Sequence, residues 1–471
     1  MTSSDGSSAP DPLEDAQPGF PPDLRVHGEV QVPTSKSIAQ RVLACALLAE
    51  GETRFEALPT GMDVLHALRC ARAGGARFPS DGKTDDLLAT ALIPRVGRGA
   101  LIGAPPGPAE RARPWVEFPV GESGTSARMF TAIAALGRPA GSGAEVVPSG
   151  TLARRRSAAL FRALRAAGAG VEHGGIDDGW PALLTAASPP DQLELVEPGS
   201  SQEVTSLLIA LASHGGHREL RVVGQIPSEG YVGITTAVLE RFGAVITTSA
   251  VLGDGPTGDA TRFTVRGPLR APLDPIRIEA DASSAAVALA AGALSGGGRT
   301  VVRGVGVESA QPDAAFPRLM ARLGCDASLC NSEQLALSGE PTVGGVLDCS
   351  ACPDVAPVLA AVGGFLAERG EGLELTGLET LPGKESSRID VLAAGLRAIG
   401  FEVDATDRSL KVHRRAGRPT APVVLDPHGD HRMVFAFSLM SLFEPHVRIL
   451  DPNCVSKSWP SFWRDLSTAG G

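Results

Sequence analysis

The chain has 471 residues, with 43 basic and 53 acidic side chains and a formal charge of −10. That length accommodates two or three domains with ample core. The acidic balance, with few aromatics and no basic stripe, argues against nucleic acid as a partner, and no apolar stretch is unbroken enough to predict a membrane span.

Residues 1 to about 22 are rich in Ser, Pro, Asp and Gly and read as a disordered tail. The tail has neither signal-peptide nor transit-peptide character, so a cytoplasmic location is expected. Leu24–Val32 reads as an extended segment outside any complete repeat. From Ser35 onward one pattern recurs. A small polar cluster opens an Ala/Leu-rich run of about three turns, and Gly or Pro usually closes it. The six openings are Ser35-Lys36-Ser37, Gly124-Thr125-Ser126, Ser200-Ser201-Gln202, Asp281-Ala282-Ser283-Ser284, Pro353-Asp354 and Gly429-Asp430-His431-Arg432. Several runs are followed by a short β-rich stretch, such as Arg218–Val223, Arg299–Val302 or Val447–Leu450. A second helix ending near Gly comes next, as in Leu160–Gly168, Val238–Gly243, Leu319–Gly324 and Leu392–Gly400.

The spacing of roughly 70 to 90 residues suits one βαβ-type unit. The expected fold is therefore α/β, with six copies of one unit in two groups of three. The sixth unit lacks closing strands, so Leu24–Val32 is expected to complete it. Residues 23–34 with 281–471 would then form one domain and residues 35–280 the other. Thr205–Ala212 and Ala285–Leu294 show little polar face and are predicted to be buried.

The helix openings carry most of the chemistry. N-terminal backbone N–H groups attract anions when several converge. Capping alone explains the Ser, Thr and Asp residues, but it does not explain the cations beside them. The basic residues are almost all Arg. The five lysines are Lys36, Lys83, Lys384, Lys411 and Lys457, and Lys36, Lys384 and Lys457 lie in polar, motif-like segments. There a compact, titratable ammonium is expected to be needed. An acidic chain with a concentrated basic site suits small anions.

Seven cysteines, several inside apolar patterns (Cys45, Cys70, Cys325), read as reduced thiols. Cys349-Ser350-Ala351-Cys352 has no second pair at zinc spacing, so no metal is expected. The irregular glycines of Gly97–Gly107 do not form a dinucleotide fingerprint and no P-loop occurs, so no nucleotide cofactor is expected.

Eight segments then assemble in order: Ser35–Arg41 (SKSIAQR), Gly121–Arg128 (GESGTSAR), Ser200-Ser201-Gln202, Asp281–Ser284, Pro353-Asp354, Lys384–Arg388 (KESSR), Asp430-His431-Arg432 and Asp451–Lys457 (DPNCVSK). Together they resemble the 5-enolpyruvylshikimate-3-phosphate (EPSP) synthase family of enolpyruvyl transferases over nearly the whole chain after the tail. The resemblance implies a monomer with a two-domain inside-out α/β barrel, built from six βαβαββ units, three per domain, and an active site in the interdomain cleft. It implies transfer of the enolpyruvyl group of phosphoenolpyruvate to the 5-hydroxyl of shikimate 3-phosphate, releasing phosphate by addition and elimination. That step belongs to aromatic amino acid biosynthesis and needs no metal or cofactor. Catalysis would rest largely on a dry electrostatic cage.

By the same resemblance Lys36, Ser37 and Arg41 touch shikimate 3-phosphate, and Lys36 also lies near phosphoenolpyruvate. Ser200, Ser201 and Ser228 hold the acceptor's phosphate, with Gln202 near its ring and Tyr231 in the same wall. Gly124 lets the backbone approach phosphoenolpyruvate. Arg128, Arg388, Arg432 and Lys457 clamp it, with Arg155. Asp354 is the base, paired with Lys384, and Glu385 is the acid that protonates the methylene carbon. The chain departs from the family pattern at Glu122, Thr380 and Gly429, where Asn is usual, and at Gly233, where an acid is usual. Two alternatives are a paralogue acting on another phosphorylated cyclitol and an inactive binding paralogue. The joint presence of Lys36, Asp354, Glu385 and Lys457 weighs against the second.

Overall fold

The computed structural model describes residues 12–76, 101–103, 115–251 and 259–469. Residues 1–11 of the expected tail, Lys83 and most of the Gly97–Gly107 stretch lie outside the described residues. The chain divides into two units. The first comprises Met1–Gln31, Ser283–Val307 and Ala315–Gly471, and the second comprises Val32–Ala282 and Glu308–Ala314.

The N-terminal segment corrects two expectations. Composition predicts disorder to about residue 22, yet from Pro12 onward the chain is built into the first unit. Strand β1 (Gln17–Pro18) pairs antiparallel with Val447–Ile449. Phe20 is 4 % exposed, its ring 5.5 Å from that of Phe462 and 5.0 Å from that of Trp463. Gly19 passes so close to Ser441 that a Cβ there would lie 2.3 Å from its Oγ. Burying one Phe contributes on the order of 2 kcal/mol, and one aromatic anchor is invisible to an argument from average composition. The second correction concerns Leu24–Val32. Its strand β2 (Gly28–Glu29) runs parallel to Thr300–Arg303 in the fourth repeat's sheet, not the sixth's. Val26 and Val30 are buried there, and the N–H groups of Gly28 and Val30 donate to Arg299 O and Val301 O. The strand that joins the last sheet is β1.

The second unit holds α1 (Lys36–Leu48), β3 (Thr53–Glu56), α2 (Met62–Ala73), β4 (Leu101–Gly103), β5 (Trp115–Gly121), α3 (Gly124–Leu136), β6 (Gly143–Pro148), α4 (Ala158–Ala166), β7 (Gly170–His173) and β8 (Ala182–Thr185). It continues with β9 (Gln192–Val196), α5 (Ser201–Ala212), β10 (Gly216–Val223), α6 (Gly230–Arg241), β11 (Val245–Val251), β12 (Ala260–Gly267) and β13 (Ile276–Arg277). Two of its sheets share one strand order, β5-β6-β8-β7 and β9-β10-β12-β11. In each, the first pair is parallel and spanned by a helix, and the last strands are antiparallel. The third sheet, β13-β3-β4, takes its parallel strand β13 from the far end of the unit. Helices α1, α3 and α5 are buried along nearly their whole length, with α3 packed on α5. Apolar residues occupy nearly every side of them, as the sequence predicts for a buried helix.

The first unit continues with α7 (Ala282–Leu294), β14 (Thr300–Arg303), α8 (Phe316–Arg322), β15 (Gln334–Leu337), β16 (Gly345–Asp348), α9 (Ala356–Ala367), β17 (Leu373–Thr376), α10 (Arg388–Ala398), β18 (Phe401–Ala405) and β19 (Leu410–Arg415). Its last elements are β20 (Val423–Leu425), α11 (His431–Met440), β21 (Val447–Ile449) and α12 (Phe462–Ser467). Its sheets are β15-β14-β2, β16-β17-β19-β18 and β1-β21-β20. The four-stranded sheet repeats the pairing pattern of the second unit's two.

Glu308–Ala314 belongs to the second unit although its flanks belong to the first. Gln311 fixes it: its amide donates to Ala280 O at 2.9 Å, and its Oε1 accepts from Ala282 N–H at 3.1 Å.

Candidate active site

The helix openings separate caps from the residues beside them. Ser35, Ser123, Ser200 and Asp430 are N-caps whose side-chain oxygens accept a first-turn N–H. Each such cap stabilises its helix by about 1 kcal/mol. Their neighbours, Lys36, Gly124, Ser201 and Arg432, are left for other work.

In the second unit the Lys36 ammonium lies 3.1 Å from Asp63 Oδ2. Gln40, one turn further along α1, donates to Ser123 Oγ (2.7 Å), Ser126 Oγ (3.0 Å) and Asp63 O (3.3 Å), which ties three helix starts together. Arg41 is buried. Its Nε donates to Thr235 Oγ1 (2.9 Å), its Nη1 to Ser37 O (2.8 Å) and its Nη2 to Tyr231 O (3.4 Å). All these acceptors are neutral. Burial lowers the guanidinium to about 10, so it stays charged at neutral pH and adds an uncancelled positive field.

A second group centres on Gly124. A Cβ at this position would lie 2.9 Å from Arg128 Nη1, 3.2 Å from Arg155 Nη1 and 3.5 Å from Gln202 Oε1. Two guanidiniums and an amide thus converge where only a glycine leaves room. Arg128 Nη1 donates to Gln202 Oε1 (2.9 Å) and Gly124 O (3.1 Å). Its guanidinium carbon is 5.6 Å from the Trp180 ring centroid. Glu122, the departure in this loop, points its Oε1 at the N–H of Thr151, at 3.3 Å. The Ser201 N–H donates to Pro227 O, which joins the turn at Ser228 to the start of α5. The Tyr231 hydroxyl donates to buried Asp313 at 2.6 Å.

In the first unit a network of opposite charges surrounds Asp354. Its Oδ1 accepts from Arg388 Nη1 (2.9 Å) and lies 3.4 Å from Lys384 Nζ, while its Oδ2 accepts from Arg432 Nη2 (3.0 Å). Burial opposes ionisation, but Arg432, Lys384 and Arg388 together hold the carboxyl well below its usual range. Arg388, 2 % exposed, also donates from Nη2 to Glu385 Oε2 (2.7 Å) and from Nε to Asp430 Oδ2 (2.8 Å). Burial would lower its guanidinium, yet Asp430, Glu385 and Asp354 push it further up. Arg432 also reaches Ser283 Oγ at 3.2 Å, and Lys457 Nζ donates to Gly429 O at 2.9 Å.

Lys36, Ser37, Arg41, Gly124, Arg128, Arg155, Ser200, Ser201, Gln202, Ser228 and Tyr231 therefore lie in the second unit. Asp354, Lys384, Glu385, Arg388, Arg432 and Lys457 lie in the first. Six residues that the sequence reading does not single out support them: Gln40, Asp63, Ser157, Glu203, Asp313 and Asp430. Gln40 and Asp430 sit inside quoted motifs, but nothing local marks the other four. Among the described residues no group of three His, Cys, Asp or Glu side chains is placed to hold a metal ion.

Residues 22–466 match the family described as EPSP synthase (3-phosphoshikimate 1-carboxyvinyltransferase). A 3-phosphoshikimate 1-carboxyvinyltransferase of Thiobacillus denitrificans is 34 % identical over 93 % of this chain and 96 % of its own. Its counterpart in Mannheimia haemolytica is 29 % identical over 94 % of this chain and 97 % of its own. The fold is similar to that of an EPSP synthase from Acinetobacter baumannii, with a TM-score of 0.71 at 20 % identity, covering 97 % of this chain and 98 % of that one. It is also similar to the enolpyruvyl transferase NikO from Streptomyces tendae, with a TM-score of 0.64 at 15 % identity over 97 % of each chain.

Proposed function

The chain belongs to the EPSP synthase family, and we propose on that premise that it transfers the enolpyruvyl group of phosphoenolpyruvate to the 5-hydroxyl of shikimate 3-phosphate, releasing phosphate. The acceptor oxygen adds to C2 of phosphoenolpyruvate while C3 takes a proton. The C2–O bond to phosphate then breaks and C3 returns a proton, restoring the double bond. Asp354 takes the hydroxyl's proton, and Glu385 serves C3. Lys36, Ser37, Arg41, Ser200, Ser201, Gln202, Ser228 and Tyr231 hold the acceptor. Arg128, Arg155, Arg388, Arg432 and Lys457 hold phosphoenolpyruvate, and Gly124 leaves room for it. In the same reading each unit is an inside-out α/β barrel of three βαβαββ repeats, and the enzyme is a cytoplasmic monomer. Each unit's three sheets support that repeat assignment.

The observation that carries the mechanism is Asp354 among Arg388, Arg432 and Lys384. A carboxylate held by three cations is a poor base until they are shared. The phosphate and carboxylate of phosphoenolpyruvate compete for the same cations, so binding the donor raises the basicity of Asp354 when it is needed. A proton on Glu385 must likewise be held against the Arg388 contact. The test is phosphate release from phosphoenolpyruvate with and without shikimate 3-phosphate, with product mass as the second readout. Release that requires both substrates and yields the enolpyruvyl ether is the expected result. Bound phosphoenolpyruvate without turnover would contradict the acceptor.

A further inference from the structure

Glu203 lies in the first turn of α5 and is 2 % exposed. Its two carboxylate oxygens face different segments. Oε1 accepts from the Ser157 hydroxyl at 2.5 Å, and Oε2 accepts from the Gly199 N–H at 2.8 Å. Ser157 Oγ in turn accepts from Arg128 Nε at 3.0 Å. Ser157 stands at the N-cap of α4 but makes no side-chain cap bond to that helix. A serine there would ordinarily satisfy an N–H of its own helix. Its hydroxyl is spent on Glu203 and Arg128 instead, a local cost that signals a purpose elsewhere.

The links form a closed ring. Arg128 is gripped at Nε by Ser157, which Glu203 orients, and at Nη1 by Gln202, the residue before Glu203. This fixes the guanidinium about two of its nitrogens and leaves it facing Gly124. The same carboxylate pins Gly199, immediately before the Ser200-Ser201-Gln202 segment. We propose that Glu203 is a positioning residue that sets both anion-binding segments at once, Arg128 through Ser157 and the Ser200–Gln202 turn through Gly199. The proposal rests on the functional reading above, in which Arg128 grips phosphoenolpyruvate and the serines grip the acceptor's phosphate.

The two arms make different predictions. Glu203→Gln removes the charge that strengthens both hydrogen bonds and turns an amide N–H toward one of the two donors, so affinity falls for both phosphoenolpyruvate and shikimate 3-phosphate. Ser157→Ala cuts only the arm to Arg128, so phosphoenolpyruvate weakens and shikimate 3-phosphate does not. A fall of about tenfold or more is expected where a hydrogen bond to a charged group is lost. The affinities are read by calorimetry of each substrate separately, alongside KM and kcat, and the double variant should be no worse for phosphoenolpyruvate than Glu203→Gln alone. A merely structural Glu203 would lower the thermal midpoint and leave both affinities in place, and that result overturns the proposal. Should Glu203→Gln fail to fold, unchanged phosphoenolpyruvate affinity in Ser157→Ala overturns it. Wild-type protein that binds phosphoenolpyruvate without turning over would sink the acceptor assignment, while the binding constants still decide the role of Glu203.

Discussion

Asp354 and Arg388 are the residues whose surroundings decide most. The Asp354 carboxyl is held below its ordinary value of 3.8, so its contribution to stability is fully present above that value and is lost as pH falls through the depressed one. Asp354→Asn leaves Arg388, Arg432 and Lys384 facing one another, and should cost about 3 kcal/mol at neutral pH. Urea titrations should show a gap between wild type and variant that is constant from about pH 8 to 5 and narrows below about pH 4. A gap that widened on acidification would mean Asp354 is not the ionised partner. Gly124→Ala places a methyl 2.9 Å from Arg128 Nη1 and 3.2 Å from Arg155 Nη1, so both guanidinium groups must shift to admit it. It should raise KM for phosphoenolpyruvate severalfold with the thermal midpoint nearly unchanged, and an unaltered KM would separate that cluster from the donor. Legibility at this scale follows sequence distance. Glu385 and Arg388 meet within one short motif, three residues apart. Ser157, Glu203 and Asp313 meet partners 29, 46 and 82 residues away, and a single sequence carries no sign of such meetings.

Helices and strands divide in the same way. The buried helices α5 and α7 are legible because a helix without a polar face has nowhere to lie except in a core. Helix caps are legible because Ser and Asp satisfy N–H groups that the helix leaves open. The N-terminal segment is not, because polar composition predicts disorder on average while order here depends on Phe20 and on the close approach of Gly19 to Ser441. Phe20→Ala should therefore destabilise this segment by about 3 kcal/mol. The sensitive readout is hydrogen exchange, since β1 is held by its pairing with β21 and the Phe20 ring packs on Phe462 and Trp463. Faster exchange in Val447–Ile449 is expected, with exchange in the second unit unchanged. Unaltered protection in that strand would show that the segment does not depend on the aromatic contact. The destination of Leu24–Val32 is illegible for a related reason. Alternating valines announce a strand but not which of several sheets receives it.

Over the whole chain, the path passes between the two units four times, at residues 31/32, 282/283, 307/308 and 314/315. Two of those passages follow from counting repeats. The other two, around Glu308–Ala314, depend on Gln311 and Asp313 finding partners in the second unit, which no periodicity encodes. The charge account is also a property of the whole. A chain of net charge −10 gathers cations around Asp354 and around Gly124, as an enzyme handling two phosphorylated carboxylates requires. In the proposed reaction the donor's C2–O bond breaks during transfer to shikimate 3-phosphate. The measurement is made with phosphoenolpyruvate carrying a heavy oxygen isotope at the C–O–P bridge, following the masses of released phosphate and product. Labelled phosphate, formed only with shikimate 3-phosphate and in step with an unlabelled enolpyruvyl ether, is the predicted result. Unlabelled phosphate, which reports cleavage at phosphorus, or release that ignores shikimate 3-phosphate, would contradict it.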